Sequence, residues 1–231
     1  MSSSDLPDTL MPAALDVVRT GQSLMARGYV HGTTGNISVR VKTPVFDGYL
    51  ITPTDASLGD LDARRLAAVD TQGQQHHGDL ASKTIALHRA IYAAAPDANA
   101  VIHTHSHHLV LLTLLGVWKA ASILPPITPY QVMKVGPVPL IGYAVPGHES
   151  VIQDVVQRIQ SMADRGVTLR AVMCDRLGPQ VWHQNLASAM GTLEELEQTA
   201  RLWIDAKRDV QPLARSQLDA LNERFGCWWA D

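Results

Sequence analysis

The feature that most constrains the fold is a run of histidines inside an apolar segment, AVIHTHSHHLVLL. Four histidines occur within six residues. The valine and isoleucine before His103 predict a buried strand, and the leucines after His108 predict a helix. Side chains two apart on a strand project from one face, about 6.5–7 Å apart. His103 and His105 can therefore converge on one metal ion, since neutral imidazole is a common ligand of zinc and other transition metals.

Other interpretations of these histidines stay open. The pair is also compatible with hydrogen-bonded core histidines or with residues at an exposed strand end. His107 and His108 lie where the helix begins, which favours a supporting or capping role. Catalytic zinc usually has three protein ligands, and His183 in the segment VWHQ is the candidate for the third. His148 is more simply a helix-start residue, and His31 is either a helix-end cap or a substrate contact.

The remaining pattern predicts how the chain is organised. The segment NISVRV alternates like a strand, and GYLITPT is its expected hairpin partner. The segment SKTIALHRAIYAAAP predicts a helix with Ser82 as its N-cap. Strands cluster in the first half without strict βαβ alternation, which predicts an α/β fold with a mostly antiparallel central sheet flanked by helices. We expect one domain over 1–210 and a helical tail over 211–231.

Composition excludes several classes of protein. The formal net charge is −3 and no stripe of Lys and Arg occurs, so nucleic acid and anionic membranes are not expected partners. The N-terminus lacks the basic start and apolar core of a signal peptide, and no apolar run reaches the roughly 18 residues of a membrane span. Cys174 and Cys227 have no metal-type spacing. These features predict a soluble, cytoplasmic protein.

Three loops rich in hydrogen-bond donors predict an anion site. In the loop HGTTGNISVR, Gly35 permits close backbone approach, and Thr33 and Asn36 offer polar side chains. The loop TPTDASLG has the same character. Ser82 and Lys83 precede a helix, where backbone N–H groups favour a phosphate. Each loop alone is also compatible with an ordinary turn.

Taken in order, GTTGNISVR, LITPTDASLGDLD and SKTIALHRAIYAAAPDANAVIHTHS resemble the class II aldolase/adducin family. The resemblance covers roughly residues 12–208 of the chain. It implies a three-layer fold, a homotetramer with active sites at subunit interfaces, and a divalent metal, usually zinc. The segments PPITPYQVMKVGPVPLIGYAVPG and GTLEELEQTARL are most similar to the decarboxylase branch of the family. The implied activity is a metal-dependent lyase, most similar to one that decarboxylates a 3-oxo-tetronate 4-phosphate through a metal-stabilised enediolate.

The resemblance also implies roles for individual residues. His103 and His105 match the two metal-binding histidines of the family strand. Tyr130 is similar to a tyrosine that reaches a neighbouring subunit's site, where it is a candidate proton donor. The positions that match the phosphate-binding loops and turn of the family are Thr33, Gly35, Asn36, Ser82 and Lys83, and Lys83 could add a positive charge for phosphate or carboxylate.

Two positions depart from the family pattern. Thr84 stands where the family has an acid/base glutamate, and Leu177 stands where it has a third metal-binding histidine. Leucine cannot bind zinc, and threonine is a poor base at neutral pH. Decarboxylation is the family reaction least affected, because CO2 leaves without a base once the ketone accepts electrons. The alternatives are a sugar-phosphate aldolase or epimerase and a catalytically degenerate binding or assembly protein.

Overall fold

The computed structural model describes residues 6–229. They form two compact units. The first unit contains the described chain through His105 together with Trp182–Ala189. The second contains Ser106–Val181 and the described chain from Met190 onward. The expected domain bounds, 1–210 and 211–231, stay a prediction.

The first unit is built on five strands that hydrogen-bond in the order β4-β3-β2-β1-β5. Two helices accompany them, α1 (Met11–Ala26) and α2 (Ile85–Ala94). Gly28, at φ +72°, follows α1 in the left-handed region that ends many helices. The strands are β1 (Asn36–Lys42), β2 (Asp47–Ile51), β3 (Ala67–Asp70), β4 (Gln75–His77) and β5 (Ala100–His103).

Antiparallel pairing of β1 with its two neighbours fixes this sheet. Ser38 lies opposite Ile51 on β2 and opposite Val101 on β5. The predicted hairpin of NISVRV and GYLITPT is therefore confirmed. Asn36 lies opposite His103, so the first residue of β1 meets the last residue of β5.

The second unit contains most of the remaining elements. β7 (Ala171–Cys174) pairs antiparallel with β8 (Gly178–His183), whose last two residues belong to the first unit. β6 (Leu140–Ile141) pairs parallel with β7. The helices are α3 (His107–Leu115), α4 (Pro129–Lys134), α5 (Glu149–Ala163), α6 (Leu186–Asp205, whose first turn belongs to the first unit) and α7 (Arg215–Phe225).

The predicted tail helix, α7, packs on α4 through a small core. Val132 of α4, Leu218 of α7 and Trp229 are nearly fully buried together. The backbone N–H of Leu213 donates to the carbonyl of Pro126, 2.8 Å away, just ahead of α4. Apolar burial and this backbone bond therefore hold α4 against the C-terminal segment.

The predicted elements agree with the structure apart from three differences. β5 ends at His103, so His105 lies beyond the strand and the two-residue alternation does not apply to it. α2 begins at Ile85 with Thr84 as its N-cap residue, so Ser82 is not the N-cap. The short elements β4 and α4 were not predicted, because three and six residues give little periodicity to detect. Among the described residues, no helix is long and apolar enough to cross a membrane.

Candidate active site

His103 and His105 lie side by side at the end of β5. Their ring centroids are 5.0 Å apart and the ring planes are inclined by 65°. His103 is buried, whereas His105 is partly exposed. The two imidazoles therefore share one local site, although the chain leaves the strand between them.

The surroundings of His105 favour its neutral form. Burial lowers its pKa from the usual 6.5, and the nearby His31 lowers it further. The His31 ring centroid is 6.4 Å from that of His105. A neutral imidazole keeps one nitrogen free to accept a hydrogen bond or bind a cation.

The glycine-asparagine loop packs directly on the backbone of His103. A Cβ atom placed on Gly35 would lie 2.8 Å from the His103 carbonyl oxygen, and φ of Gly35 is +82°. Asn36 is buried, and its Oδ1 atom has no hydrogen-bond partner in the protein. A buried, unpaired acceptor is costly. Its place opposite His103 suits a polar group of a bound ligand.

Thr52 connects the donor-rich loops to each other. Its N–H donates to the carbonyl of Ile37, and its Oγ1 accepts from the Ile37 N–H. The carbonyl of Thr52 accepts from the N–H of Ser82, 3.2 Å away. The start of β1, the loop after β2 and the turn before α2 are thus joined through one buried residue. The three predicted anion-binding segments come together in the first unit.

The turn before α2 presents a hydroxyl pair and a cation. Ser82 Oγ lies 2.9 Å from Thr84 Oγ1. Lys83, between them, is exposed. The Thr84 hydroxyl is hydrogen-bonded within the turn and cannot serve as a carboxylate base would.

A buried polar chain next to the site was not predicted from the sequence. Ser38 Oγ lies 2.7 Å from Nδ1 of His88 and 2.8 Å from the Tyr92 hydroxyl. Burial and the nearby His103 lower the pKa of His88 to about 3, and the Nε2 atom of His88 has no hydrogen-bond partner. The available signal was a histidine on the same helical face as Leu87, Ile91 and Tyr92, which are all buried.

A cavity of about 360 Å³ lies beside the second loop and does not suit a phosphate. Its lining includes four carboxylates and one arginine, and Arg65 is paired with Asp79 at 2.8 Å. The excess of negative charge repels anions. The carboxylates belong to Asp55, Asp60, Asp62 and Asp79.

The structure does not bring every candidate residue to the histidine pair. The carbonyl of His183 accepts from the N–H of Asn99. Asn99 precedes β5, whereas His103 ends it, so His183 lies at the opposite end of that strand. In the second unit, Tyr130 is 62% exposed on α4, and Leu177 lies in the turn between β7 and β8.

The two following histidines lie at the start of α3. His107 is exposed. The carboxylate of Glu197 accepts from the backbone N–H groups of His108 and Leu109 and from Nδ1 of His108. His108 is therefore part of a helix-capping arrangement.

The donor set does not form a complete three-ligand metal site within the described residues. No group of three or more His, Cys, Asp or Glu side chains there can hold a metal ion. His103 and His105 are the two predicted ligands, and Leu177 stands where the resemblance to the family implies a third histidine. A catalytic zinc site usually needs three protein ligands. The chain therefore departs from that requirement by one ligand.

Comparison with known proteins defines the class. Residues 15–204 match the family described as Class II Aldolase and Adducin N-terminal domain. The chain belongs to this family, as its sequence motifs indicate.

Two curated relatives and one solved structure show which members of the family the chain resembles. The chain is 48% identical over 203 residues to the 3-oxo-tetronate 4-phosphate decarboxylase of Cupriavidus necator, covering 88% of each chain. It is 37% identical to the protein of that name from Pectobacterium atrosepticum, covering 91% of this chain and 92% of the relative. The structure of YgbL from Escherichia coli superposes with a TM-score of 0.81 at 32% identity, covering 93% of this chain and 99% of that one. The predicted fold class is confirmed.

Proposed function

We propose that this chain is a carbon–carbon lyase that decarboxylates a 3-oxo-tetronate 4-phosphate. The observation that carries the proposal is the hydrogen-bonded union of three donor-rich loops beside the His103 and His105 pair. The similarity to decarboxylases over 88% or more of the chain supports the same reaction. Loops rich in hydrogen-bond donors can bind a phosphate, and an imidazole pair can contact the polar oxygens of a small acid.

The loops bind and orient the substrate in this proposal. Thr33, Gly35 and Asn36 hold the phosphate together with Ser82, and Lys83 adds a positive charge. The 3-oxo group then faces the two histidines. Fixing both ends of the substrate aligns the breaking bond with the ketone and reduces the entropy lost at the transition state.

The reaction breaks the bond between the carboxylate carbon and carbon 2. Its electron pair moves into the ketone, giving an enediolate, and CO2 leaves. A proton then adds to carbon 2, and the product is dihydroxyacetone phosphate. No base is needed to begin, which is consistent with Thr84 in place of a carboxylate. We assign the proton donation to Tyr130 of a neighbouring subunit in a cytoplasmic homotetramer.

A direct assay tests the proposal. The purified chain is incubated with a 3-oxo-tetronate 4-phosphate, and CO2 and dihydroxyacetone phosphate are measured together. His103→Ala should lower kcat/KM by roughly 10²–10³, as expected when a group that stabilises the transition state is removed. His76→Ala, at the surface, is the control and should retain activity. Equal activity of the two variants would refute the assignment of His103.

A second candidate function is a binding protein that has lost catalysis. The specific observation that favours it is the paired departure from the family pattern at Thr84 and Leu177. It would bind a phosphorylated sugar acid at the same loops without releasing CO2. Calorimetric binding of 2-phosphoglycolate combined with no turnover would support this function over the lyase.

A further inference from the structure

We propose that His88 is a positioning residue for the phosphate site and acts through one buried water. The water joins Nε2 of His88 to Oδ1 of Asn36, which turns the amide NH2 group of Asn36 towards the substrate phosphate. The inference rests on the proposed function, because it needs the phosphate to bind at Asn36. It adds to that site a residue that does not touch the substrate.

The two residues meet on one face of the sheet in the first unit. Asn36 and Ser38 are two apart on β1, so their side chains project from the same face. Ser38 Oγ lies 2.7 Å from Nδ1 of His88, which places the His88 ring of α2 on that face. Asn36 lies opposite His103, and His88 is close enough to His103 to interact with it electrostatically. The His88 ring therefore lies at the end of the face that carries Asn36.

Each of the two residues has a buried polar atom without a hydrogen-bond partner in the protein. These atoms are Nε2 of His88 and Oδ1 of Asn36. The side chain of His88 is fully buried, and Asn36 is 6% exposed. Polar atoms buried in this way are usually paired, and an ordered water is a common partner. A single water between them would pair both atoms.

One water can serve both atoms whichever ring nitrogen of His88 carries the proton. Oδ1 of Asn36 accepts a hydrogen bond, which a water can donate. The same water can accept from a protonated Nε2 or donate its second hydrogen to an unprotonated one. Nδ1 is bonded to the Ser38 hydroxyl, which lies 2.8 Å from the Tyr92 hydroxyl. The ring is therefore held from one side, and Nε2 is the atom left for the water.

The orientation of the Asn36 amide decides whether this residue can bind a phosphate. Phosphate oxygens accept hydrogen bonds, and only the NH2 end of a carboxamide donates them. When Oδ1 is held inside the protein, the NH2 group is left for the substrate. A flipped amide would direct one acceptor at another. His88 therefore affects the affinity for phosphate without contacting it.

Two substitutions of His88 separate this role from a purely structural one. The terminal amide of glutamine reaches about as far as Nε2 of histidine, whereas that of asparagine reaches about as far as Nδ1. His88→Gln therefore keeps a polar atom for the water and loses the bond to Ser38, and His88→Asn does the reverse. A residue that only supported the fold through Ser38 would tolerate asparagine better than glutamine.

Calorimetric binding of 2-phosphoglycolate measures the effect, with urea unfolding to establish that each variant is folded. We expect His88→Asn to bind this probe at least about tenfold more weakly than the original protein, as when a hydrogen bond to a charged group is lost. His88→Gln should bind within about threefold of the original protein, because it retains the water-mediated bond. Equal affinities of the two variants, or weaker binding by His88→Gln, would overturn the inference.

A double substitution tests whether His88 acts through Asn36. Asn36→Ala removes the other end of the bridge and should itself weaken binding of 2-phosphoglycolate. Adding His88→Asn to Asn36→Ala should then weaken binding no further, because the two residues act as one unit. Additive losses would show that His88 acts on the site by another route and would overturn the inference.

A high-resolution crystal structure tests the bridge without any substitution. One water should lie within about 2.7–3.2 Å of both Nε2 of His88 and Oδ1 of Asn36. Two separate waters at these atoms, or none, would overturn the inference.

The outcome is separable from that of the decarboxylase assay. Release of CO2 by the original protein, combined with equal affinities of the two His88 variants, would overturn this inference and leave the lyase function standing. The expected affinities without release of CO2 would support the positioning role and refute the decarboxylase. Failure of the original protein to bind 2-phosphoglycolate would overturn the inference together with the proposed phosphate site.

Discussion

Gly35 lies against His103 so closely that a single added carbon would collide with the strand. A Cβ atom on Gly35 would lie 2.8 Å from the His103 carbonyl oxygen and 2.7 Å from Cγ1 of Val30. The glycine-asparagine loop and the histidine strand therefore pack closely against each other at the backbone, and this contact can be tested.

Gly35→Ala should destabilise the protein and weaken substrate binding. The collision requires the loop to move, and a positive φ is unfavourable for alanine. We expect a loss of about 1–3 kcal/mol in the free energy of unfolding and a raised KM. Gly32→Ala is the matched control, because φ there is +55° but nothing lies within 4 Å of the added carbon. Equal effects in urea unfolding would show that φ alone matters.

Ser38→Ala should destabilise the first unit by removing a buried hydrogen-bond partner. The variant leaves Nδ1 of His88 and the hydroxyl of Tyr92 without their shared partner. Buried polar groups that lose a partner cost about 1–3 kcal/mol. Chemical denaturation measures the loss, with the exposed Ser161→Ala as control. A difference below about 0.5 kcal/mol, the usual range of surface substitutions, would contradict the expected importance of this polar chain.

Stability should fall in acid because of His88. Its pKa is about 3 in the folded protein, from burial first and the nearby His103 second. Near pH 8 the side chain is neutral in both the folded and unfolded states. Below about 6.5 only the unfolded state gains the proton, so stability falls as the pH drops towards 3, by up to about 1.4 kcal/mol per pH unit.

His88→Gln should therefore reduce the acid slope while lowering stability at pH 8. Urea unfolding from pH 8 to pH 4 measures both quantities. His107→Gln removes an exposed histidine and serves as the control. An unchanged slope in His88→Gln would mean that this buried histidine does not govern the acid response.

Glu197→Ala should destabilise the second unit. Its carboxylate accepts from two backbone N–H groups of the first turn of α3 and from the ring of His108. We expect a loss of about 1–3 kcal/mol, and a smaller loss for Glu197→Gln, which retains one acceptor oxygen. Thermal unfolding measures both variants against Gln198→Ala, an exposed position on the same helix. An alanine variant as stable as this control would contradict the capping role.

The sequence predicted the elements with a strong period and missed those whose position depends on packing. β1 follows an alternating pattern, α2 and α7 follow helical ones, and local propensity was sufficient for them. The close approach of His105 to His103 depends on how the chain turns after β5, which no periodicity encodes.

The buried hydrogen bonds from Ser38 to Tyr92 and His88 depend on how α2 packs against β1. Pairwise contacts of this kind arise from tertiary packing, and local sequence patterns do not determine them. The resemblance to known proteins identified the family and predicted phosphate-binding loops, but it offered no third metal ligand in place of Leu177.

Thr52 has a consequence for how the site opens. Its N–H, carbonyl and hydroxyl oxygen are all hydrogen-bonded, to Ile37 on one side and to Ser82 on the other. Neither the start of β1 nor the turn before α2 can move away from the loop after β2 without breaking hydrogen bonds at this residue. Amide hydrogens at Thr52 and Ser82 should then exchange with solvent in a single cooperative event. The arrangement of these loops is therefore already formed in the protein without substrate.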